Sequence, residues 1–236
     1  MAIGVFSHGV LRIPHLAAFL GAPIVAYSRG RFEPSIDTVA GWGLRSTTVR
    51  ARRYAERHGL PYVALEDGFL RSVGLGGQDP PLSLVADDCG VYYDATRPSR
   101  LELVISRSHS DEEIVRARRL AAVWRSGRVS KYNQLREYGG ALPGRYALVV
   151  DQTFGDASIQ HGLAGPQSFQ RMLEAALSEN PDSTVLVKIH PDVVAGRKKG
   201  YFDMAILVRM PHVQVIGADV HPVNLIEHAD AVYVVT

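Results

Sequence analysis

Five polar clusters carry the side chains that could do chemistry. Asp151-Gln152-Thr153 and Gly155-Asp156 follow the apolar run Ala147 to Val150, and Glu66-Asp67-Gly68 follows Tyr62 to Leu65. Lys188-Ile189-His190-Pro191 closes a third apolar run, and Ser7-His8 follows Ile3 to Phe6. Paired carboxylates suit glycosyl transfer. One acts as nucleophile or stabilises the sugar cation, and the other works as acid or base. An acid of such a pair needs its pKa raised by burial or by a like charge. Asp151 ends its run directly and reads as a residue that holds the loop through backbone hydrogen bonds. Asp156 follows a glycine, where the chain can turn sharply and present the side chain, so it is the chemical candidate of the two. For Glu66 and Asp67 two readings stand side by side: a loop acid capping backbone amides, or half of a carboxylate pair.

Lys188 and His190 are two apart, which puts them on one face of a strand. Both can donate hydrogen bonds to an anion; the competing reading is a core histidine beside a snorkelling lysine. Ser130-Lys131-Tyr132-Asn133 is a second place where an anion could be held. Basic runs recur at Arg50 to Arg53, Arg116 to Arg119, Arg125 to Lys131, and Arg197-Lys198-Lys199. Each alone reads as a solvated helix face, and together they permit contact with an anionic membrane surface. Aromatic residues do not interleave with them and no nucleic-acid motif is present, so nucleic acid is not an expected partner. The nine histidines are scattered, HExxH is absent, and there is one cysteine, so no metal is expected. No Walker motif occurs, Gly74-Leu75-Gly76-Gly77 lacks the helix of a dinucleotide fingerprint, and no cofactor is expected.

The elements that must position these clusters come from a chain of 236 residues, 46% hydrophobic, with a net charge of +2. That is enough for one large or two small domains with full cores, and the net charge excludes no class of partner. Cys89 reads as a small buried side chain in a strand-like stretch. A lone cysteine forms no disulfide within the chain, which fits a reducing compartment. The opening residues lack a basic n-region and a small-residue cleavage site. No apolar run approaches the ~20 residues of a bilayer-crossing helix. A cytoplasmic protein, soluble or peripheral to a membrane, is expected.

Strand and helix signals alternate. Strands are expected at Ile3 to Phe6, Pro23 to Tyr27, Thr38 to Trp42 and Tyr62 to Leu65, with a helix over Val10 to Leu20 that Pro14 shortens or kinks. Ser46 to His58 reads as an amphipathic helix capped by Ser46 and stopped by Gly59. After the Gly- and Pro-rich stretch Arg71 to Pro81, a hairpin is expected from Leu82 to Ala86 and Val91 to Tyr93. Ser110 and Glu113 form a capping-box pattern ahead of a helix over Asp111 to Arg125 with a strongly basic face. In the second half, strands are expected at Tyr146 to Val150, Thr184 to Ile189, Val213 to Ile216 and Ala231 to Val235. Pro166 opens a helix whose apolar face is Phe169, Met172, Leu173, Ala176 and Leu177, and Pro222 to Glu227 is a short helix. This alternation predicts an α/β protein of two Rossmann-like lobes with parallel sheets, residues 1–140 and 141–236, joined near Gln134 to Arg145. In such sheets ligands bind at the carboxyl edge, so if the lobes face each other the clusters line one cleft. Thr236 falls at the end of a strand, where a loop and helix should follow. The second lobe is therefore expected to be incomplete and the chain part of a longer protein.

The stretches "LEDGFLRSVGLG", "PPLSLVADDCGVYYDATRPSRLE", "SKYN", "VVDQTFGDASI", "VKIHPDVVAGRKKGYF" and "VYVVT" occur in this order. Together they resemble the bacterial capsule polysaccharide β-Kdo glycosyltransferases of the KpsC type, and "GVFSHGVLRIPHL" is similar to the start of the N-terminal transferase module. The resemblance implies a GT-B-like fold and CMP-Kdo as donor. It implies β-Kdo transfer to a lipid acceptor, a glycolipid or a phosphatidylglycerol derivative such as lyso-phosphatidylglycerol, in synthesis of the capsule linker. The place implied is the cytoplasmic face of the inner membrane, with capsule-assembly proteins as further partners. It implies retention, with Asp156 as the nucleophile and Glu66 as the other active-site carboxylate. His190 and Lys131 match positions that bind the nucleotide or the sugar acid, and Lys188, Ser130, Asp67 and Gln152 are candidate contacts beside them. In the family a serine and a further helix follow "VYVVT"; neither is present here. Two other readings stay open: a non-catalytic module of this fold that binds an anionic glycan or lipid, and a GT-B enzyme using a nucleotide-diphosphate sugar.

Overall fold

The computed structural model describes residues 2–27, 32–74, 79–217 and 220–236. The chain divides into two compact units, residues 1–133 and 134–236. The first runs β1 (Ile3–Val5), α1 (His8–Leu11), α2 (Leu16–Leu20), β2 (Ile24–Ala26), β3 (Thr38–Trp42), α3 (Val49–His58), β4 (Tyr62–Asp67), β5 (Leu84–Asp87), α4 (Arg100–Ser106) and α5 (Asp111–Ser126). Its sheet has the order β2-β1-β3-β4-β5. The first four strands are parallel and β5 runs antiparallel to β4. Period-two alternation feeds a core on each face, as a sheet covered on both sides requires. Val39 packs with Ala51, Tyr54 and Ala55 of α3. Its neighbour Ala40 packs with Ile3, Val5, Val10, Leu16 and Leu65 on the other side.

The second unit runs β6 (Tyr146–Val150), α6 (Ala157–His161), α7 (Pro166–Glu179), β7 (Thr184–Lys188), α8 (Pro191–Val194), α9 (Met204–Leu207), β8 (Val213–Ile216), α10 (Val223–Glu227) and β9 (Ala231–Tyr233). Its sheet, β8-β7-β6-β9, is parallel throughout. Val149, Val185 and Val187 meet Phe169, Met172, Leu173 and Ala176 of α7. On the opposite face Tyr146, Leu148, Leu186 and Ile216 meet Leu225 of α10. Phe169 is fully buried, and truncation of a ring so placed typically costs about 3–5 kcal/mol.

Several elements differ from their sequence expectation for local physical reasons. The helix expected over Val10 to Leu20 is two short helices, broken where His15 takes φ 59° next to Pro14. Ser46 does not cap α3. Residues Ser46–Thr48 form a 3-10 turn in which the Thr48 hydroxyl donates to the Arg45 carbonyl at 2.8 Å, and the α-helix starts at Val49. The expected hairpin is not formed. β5 pairs back on β4, with Asp67 opposite Leu84, and residues 91–93 lie in a turn. The first sheet is therefore mixed rather than parallel. Cys89 is exposed, not buried. The Asp87 carboxylate accepts the backbone N–H groups of Cys89 and Gly90 at 2.9 and 2.8 Å and turns the chain outward there. Helix α4 has no counterpart in the sequence reading. It starts at a reciprocal capping box between Ser99 and Glu102, the same device that starts α5 at Ser110 and Glu113. Of the Gly-rich stretch, Leu75, Gly76 and Gly77 lie outside the described residues.

Candidate active site

In the second unit, the chemistry-bearing residues follow β6 and β7 at the carboxyl edge. Asp151 is 2% exposed. Its Oδ1 accepts the backbone N–H of Gln152 at 2.9 Å and that of Tyr201 at 3.1 Å. Its Oδ2 is buried with no hydrogen-bond partner among the described residues. Burial pushes this carboxyl above the usual carboxylate range. The same two loops are joined by the Phe154 N–H, which donates to the Lys199 carbonyl at 2.8 Å. Tyr201 stacks on Phe169 with centroids 3.8 Å apart. Asp151 thus ties the loop that carries Asp156 to the segment that carries Arg197, Lys198 and Lys199.

Gly155 takes φ +79°, a conformation that disfavours side chains, and it turns the chain so that Asp156 stands exposed. Asp156 is also the N-cap of α6, its Oδ1 accepting the Ser158 N–H at 2.9 Å. His190 caps α8. Its Nδ1 accepts the Asp192 N–H at 3.1 Å, so the neutral ring carries its proton on Nε2 and can donate it to an anion. Burial pushes the His190 pKa down, against the opposing pull of Asp192. The charges of Lys188 and Asp156 also reach this ring, which puts all three in one electrostatic neighbourhood. Lys188 is only 8% exposed, in register between Val150 and Ile216. The Gln152 amide donates to the Thr236 hydroxyl at 3.0 Å, and Thr236 in turn lies 3.2 Å from the Ser158 hydroxyl. These contacts link the segments that follow β6 and β9 to α6.

In the first unit, Glu66 and Asp67 belong to β4 itself rather than to a turn, so they point to opposite faces. Glu66 Oε1 accepts the Tyr93 hydroxyl at 2.9 Å, and that hydroxyl accepts the Leu44 N–H at 3.0 Å. Burial pushes the Glu66 carboxyl up, and the Tyr93 bond and the Arg45 charge offset this only in part. Such a group exchanges a proton nearer neutrality than an ordinary glutamate. Asp67 is paired with Arg71 at 2.7 Å and with Lys131 at 3.4 Å. Arg71, 6% exposed, also donates to the Ser72 hydroxyl and the Asp79 carbonyl, each at 2.8 Å. The Ser130 hydroxyl donates to the Tyr132 carbonyl at 2.8 Å, and its N–H donates to Asn133 at 2.8 Å. Ser130 therefore shapes the turn, while Lys131 presents its charge beside Asp67.

A cavity of about 710 Å³ lies within this unit, lined by Ser7, Arg12, Trp42, Arg45 and Arg71 among others. That volume suits a small ligand. Ser7 lines it, whereas His8 is exposed outside the lining. Arg45 connects the cavity to the acid site, because it lines the former and its charge acts on Glu66. Arg12, Arg45 and Tyr93 were not candidates from the sequence. A carboxyl-edge placement was the available signal for Arg45 alone, which follows β3. The trio Asp87, Asp88 and Cys89 brings its ligand atoms within 4.8 Å of one another. Asp87 is committed to backbone N–H groups and Asp88 to Arg100 at 2.8 Å.

Two parallel-rich sheets, one in each unit, define an α/β protein. The pattern of the capsule polysaccharide biosynthesis proteins matches residues 37–141 and 113–236, and the chain belongs to that family. It is 43% identical to the capsule polysaccharide modification protein LipA of Neisseria meningitidis serogroup A, over 98% of this chain and 33% of LipA. It is 36% identical to the lipopolysaccharide-processing protein LpsZ of Rhizobium meliloti, over 83% of this chain and 46% of LpsZ. The chain thus spans half or less of the length of these relatives. Among solved structures it is similar to the β-Kdo 2,4 transferase KpsC of Thermosulfurimonas dismutans, with 44% identity and a TM-score of 0.87. That match covers 98% of this chain and 73% of the other. The β-Kdo 2,7 transferase of the same organism, at 24% identity and a TM-score of 0.67, shares the fold. No helix among the described residues is long and apolar enough to cross a membrane.

Proposed function

We propose that this chain is a transferase module of a retaining β-Kdo glycosyltransferase, GT-B-like with two Rossmann-like lobes. It moves Kdo from CMP-Kdo to a glycolipid or phosphatidylglycerol-derived acceptor in capsule linker synthesis. The observation that carries this reading is the 44% identity, over 98% of the chain, to a protein described as a β-Kdo 2,4 transferase. The side chains of the two units fit this chemistry. The Asp156 carboxylate attacks C2 of Kdo as the bond from C2 to the phosphate oxygen breaks, and CMP leaves with the electron pair. The acceptor hydroxyl then attacks C2, giving its proton to Glu66 while the bond to Asp156 breaks, and the two inversions return retention. Glu66, held up by burial, is suited to take that proton. His190 Nε2–H and Lys188 stabilise the departing phosphate without a metal. Lys131, Asp67 and Gln152 are further candidate contacts, and Arg12 and Arg45 of the cavity suit an anionic group of the acceptor. The setting that follows is the cytoplasmic face of the inner membrane, beside the capsule-assembly proteins.

One observation favours a second reading, a non-catalytic module that binds an anionic glycan: Asp156 already serves as a helix cap. The two separate on CMP release from CMP-Kdo with a Kdo-bearing glycolipid or a lyso-phosphatidylglycerol acceptor, measured on the full chain. Asp156→Asn keeps an acceptor for the Ser158 N–H and removes the nucleophile. The transferase reading expects at least a roughly thousandfold loss, of the order lost with a nucleophile or its positioned partners, with thermal stability unchanged. Parental CMP release in Asp156→Asn would leave Asp156 as a cap only.

A further inference from the structure

Helices α4 and α5 both start at well-made capping boxes, yet neither contains a buried side chain. Leu103 is 46% exposed, Ile105 66%, Val115 63%, Leu120 56% and Val123 59%. From Ile114 to Ser126 the sequence IVRARRLAAVWRS contains four arginines and no acid. None of Arg116, Arg118, Arg119 and Arg125 has an acidic partner among the described residues. The acids of α5, Asp111, Glu112 and Glu113, are confined to its first turn, where Glu113 closes the capping box. On the helix surface the rows Val115-Arg119-Val123 and Arg116-Leu120, each spaced by four, lie side by side.

Arginine is common in protein interfaces, but there it accompanies aromatic anchors, whereas the exposed large apolar side chains of α4 and α5 are all aliphatic. A bilayer surface fits this face well. Aliphatic side chains enter the acyl boundary, and arginine stems lie along it with their guanidinium groups at the lipid phosphates. The unpaired positive charge selects an anionic surface. We propose that α4 and α5 form the face by which this protein lies on an anionic lipid bilayer. The proposal does not depend on the transferase reading, because binding to vesicles needs no turnover.

The test is co-sedimentation of the full chain with vesicles of phosphatidylglycerol in phosphatidylcholine, against vesicles of phosphatidylcholine alone. Binding is expected only with the anionic lipid and should weaken with added salt. A basic residue at the lipid surface contributes about fivefold in partitioning, so Arg118→Gln with Arg119→Gln should lower binding roughly 25-fold. Val115→Ser with Val123→Ser should lower it too, which a purely electrostatic contact would not show. Unfolding midpoints followed by far-ultraviolet circular dichroism should be the same in all these variants and the parent. Equal binding by parent and variants, or none by the parent, overturns the proposal. So does a dimer in sedimentation that the valine substitutions dissociate, because the occupant of this face would then be a second copy.

Discussion

A methyl group at Gly200 would collide with a buried carboxyl. A Cβ built there stands 2.3 Å from Asp151 Oδ2, 3.3 Å from Asp151 Cγ and 3.3 Å from Val193 Cγ1. Comfortable contact lies near 3.5 Å, so the carboxyl or the loop must move by roughly 1 Å. Asp151 has little freedom, because its other oxygen is bonded to the backbone of Gln152 and Tyr201. Either the site stays and is overpacked, at about 1–3 kcal/mol, or it yields and loses a bond to the carboxyl, at about 1.5–3 kcal/mol. These outcomes are alternatives, so Gly200→Ala should cost about 1–3 kcal/mol. For a unit of about a hundred residues that lowers the midpoint by roughly 5–20 °C. The assay is thermal and urea unfolding followed by far-ultraviolet circular dichroism. Both tryptophans, Trp42 and Trp124, lie in the first unit and do not report on this site directly. The decisive comparison is an Asp151→Ala background, in which the colliding atoms are gone and the further cost of Gly200→Ala should fall below about 0.5 kcal/mol. An equal cost in both backgrounds would refute the steric argument.

Burial raises the Glu66 pKa, so the folded state binds this proton more tightly than the unfolded chain. Stability should therefore fall as pH rises from the ordinary carboxylate value through the folded one. Glu66→Gln, which keeps an acceptor for Tyr93, should remove that fall in urea midpoints across the acid range; an unchanged slope would mean that Glu66 is solvated. For His190 the sign is opposite, because burial holds its folded pKa below the ordinary imidazole value of 6.5. Stability should be lost as pH drops from that value through the folded one, and His190→Gln should remove this loss. Proton NMR should show the His190 ring titrating below 6.5, and a midpoint at or above that value would contradict the burial argument.

Strands β3, β6 and β8 occupy the spans that their apolar runs mark, and α7 buries the face that its spacing marks. In each case most side chains of the segment face a core, so burial leaves a continuous or periodic signature. Glu66, Asp156 and His190 were legible as candidates because parallel strands end at one edge of a sheet. The partners that set their behaviour were less visible. Tyr93 reaches Glu66 across 27 positions of chain, and nothing in a turn sequence announces such a contact. Asp67 reads as a possible ligand contact, and only the return of Arg71 and Lys131 shows it in an ion-pair cluster. The β4–β5 pairing was hidden because the stretch between them is rich in Gly and Pro, and alternation alone does not say which strand a short run will join. The 710 Å³ cavity is assembled from residues after three different strands, a convergence that no local pattern encodes.

The antiparallel return of β5 has a consequence of a different kind. Leu84 pairs with Asp67, so the chain re-enters the sheet at the same edge where β4 leaves it. A parallel successor would have had to span the full depth of the unit, which sets a minimum length. Here the two ends, Asp67 and Leu84, are anchored side by side, and Arg71, Asp79, Pro80 and Pro81 line the cavity. Lengthening such a tethered excursion is inexpensive, about 0.6 kcal/mol for each doubling, and shifts no strand register. One wall of the cavity can therefore gain or lose residues across descendants of this fold while Glu66 stays in place. The shape of the cavity can drift in evolution while the buried carboxyl beside it is inherited unchanged.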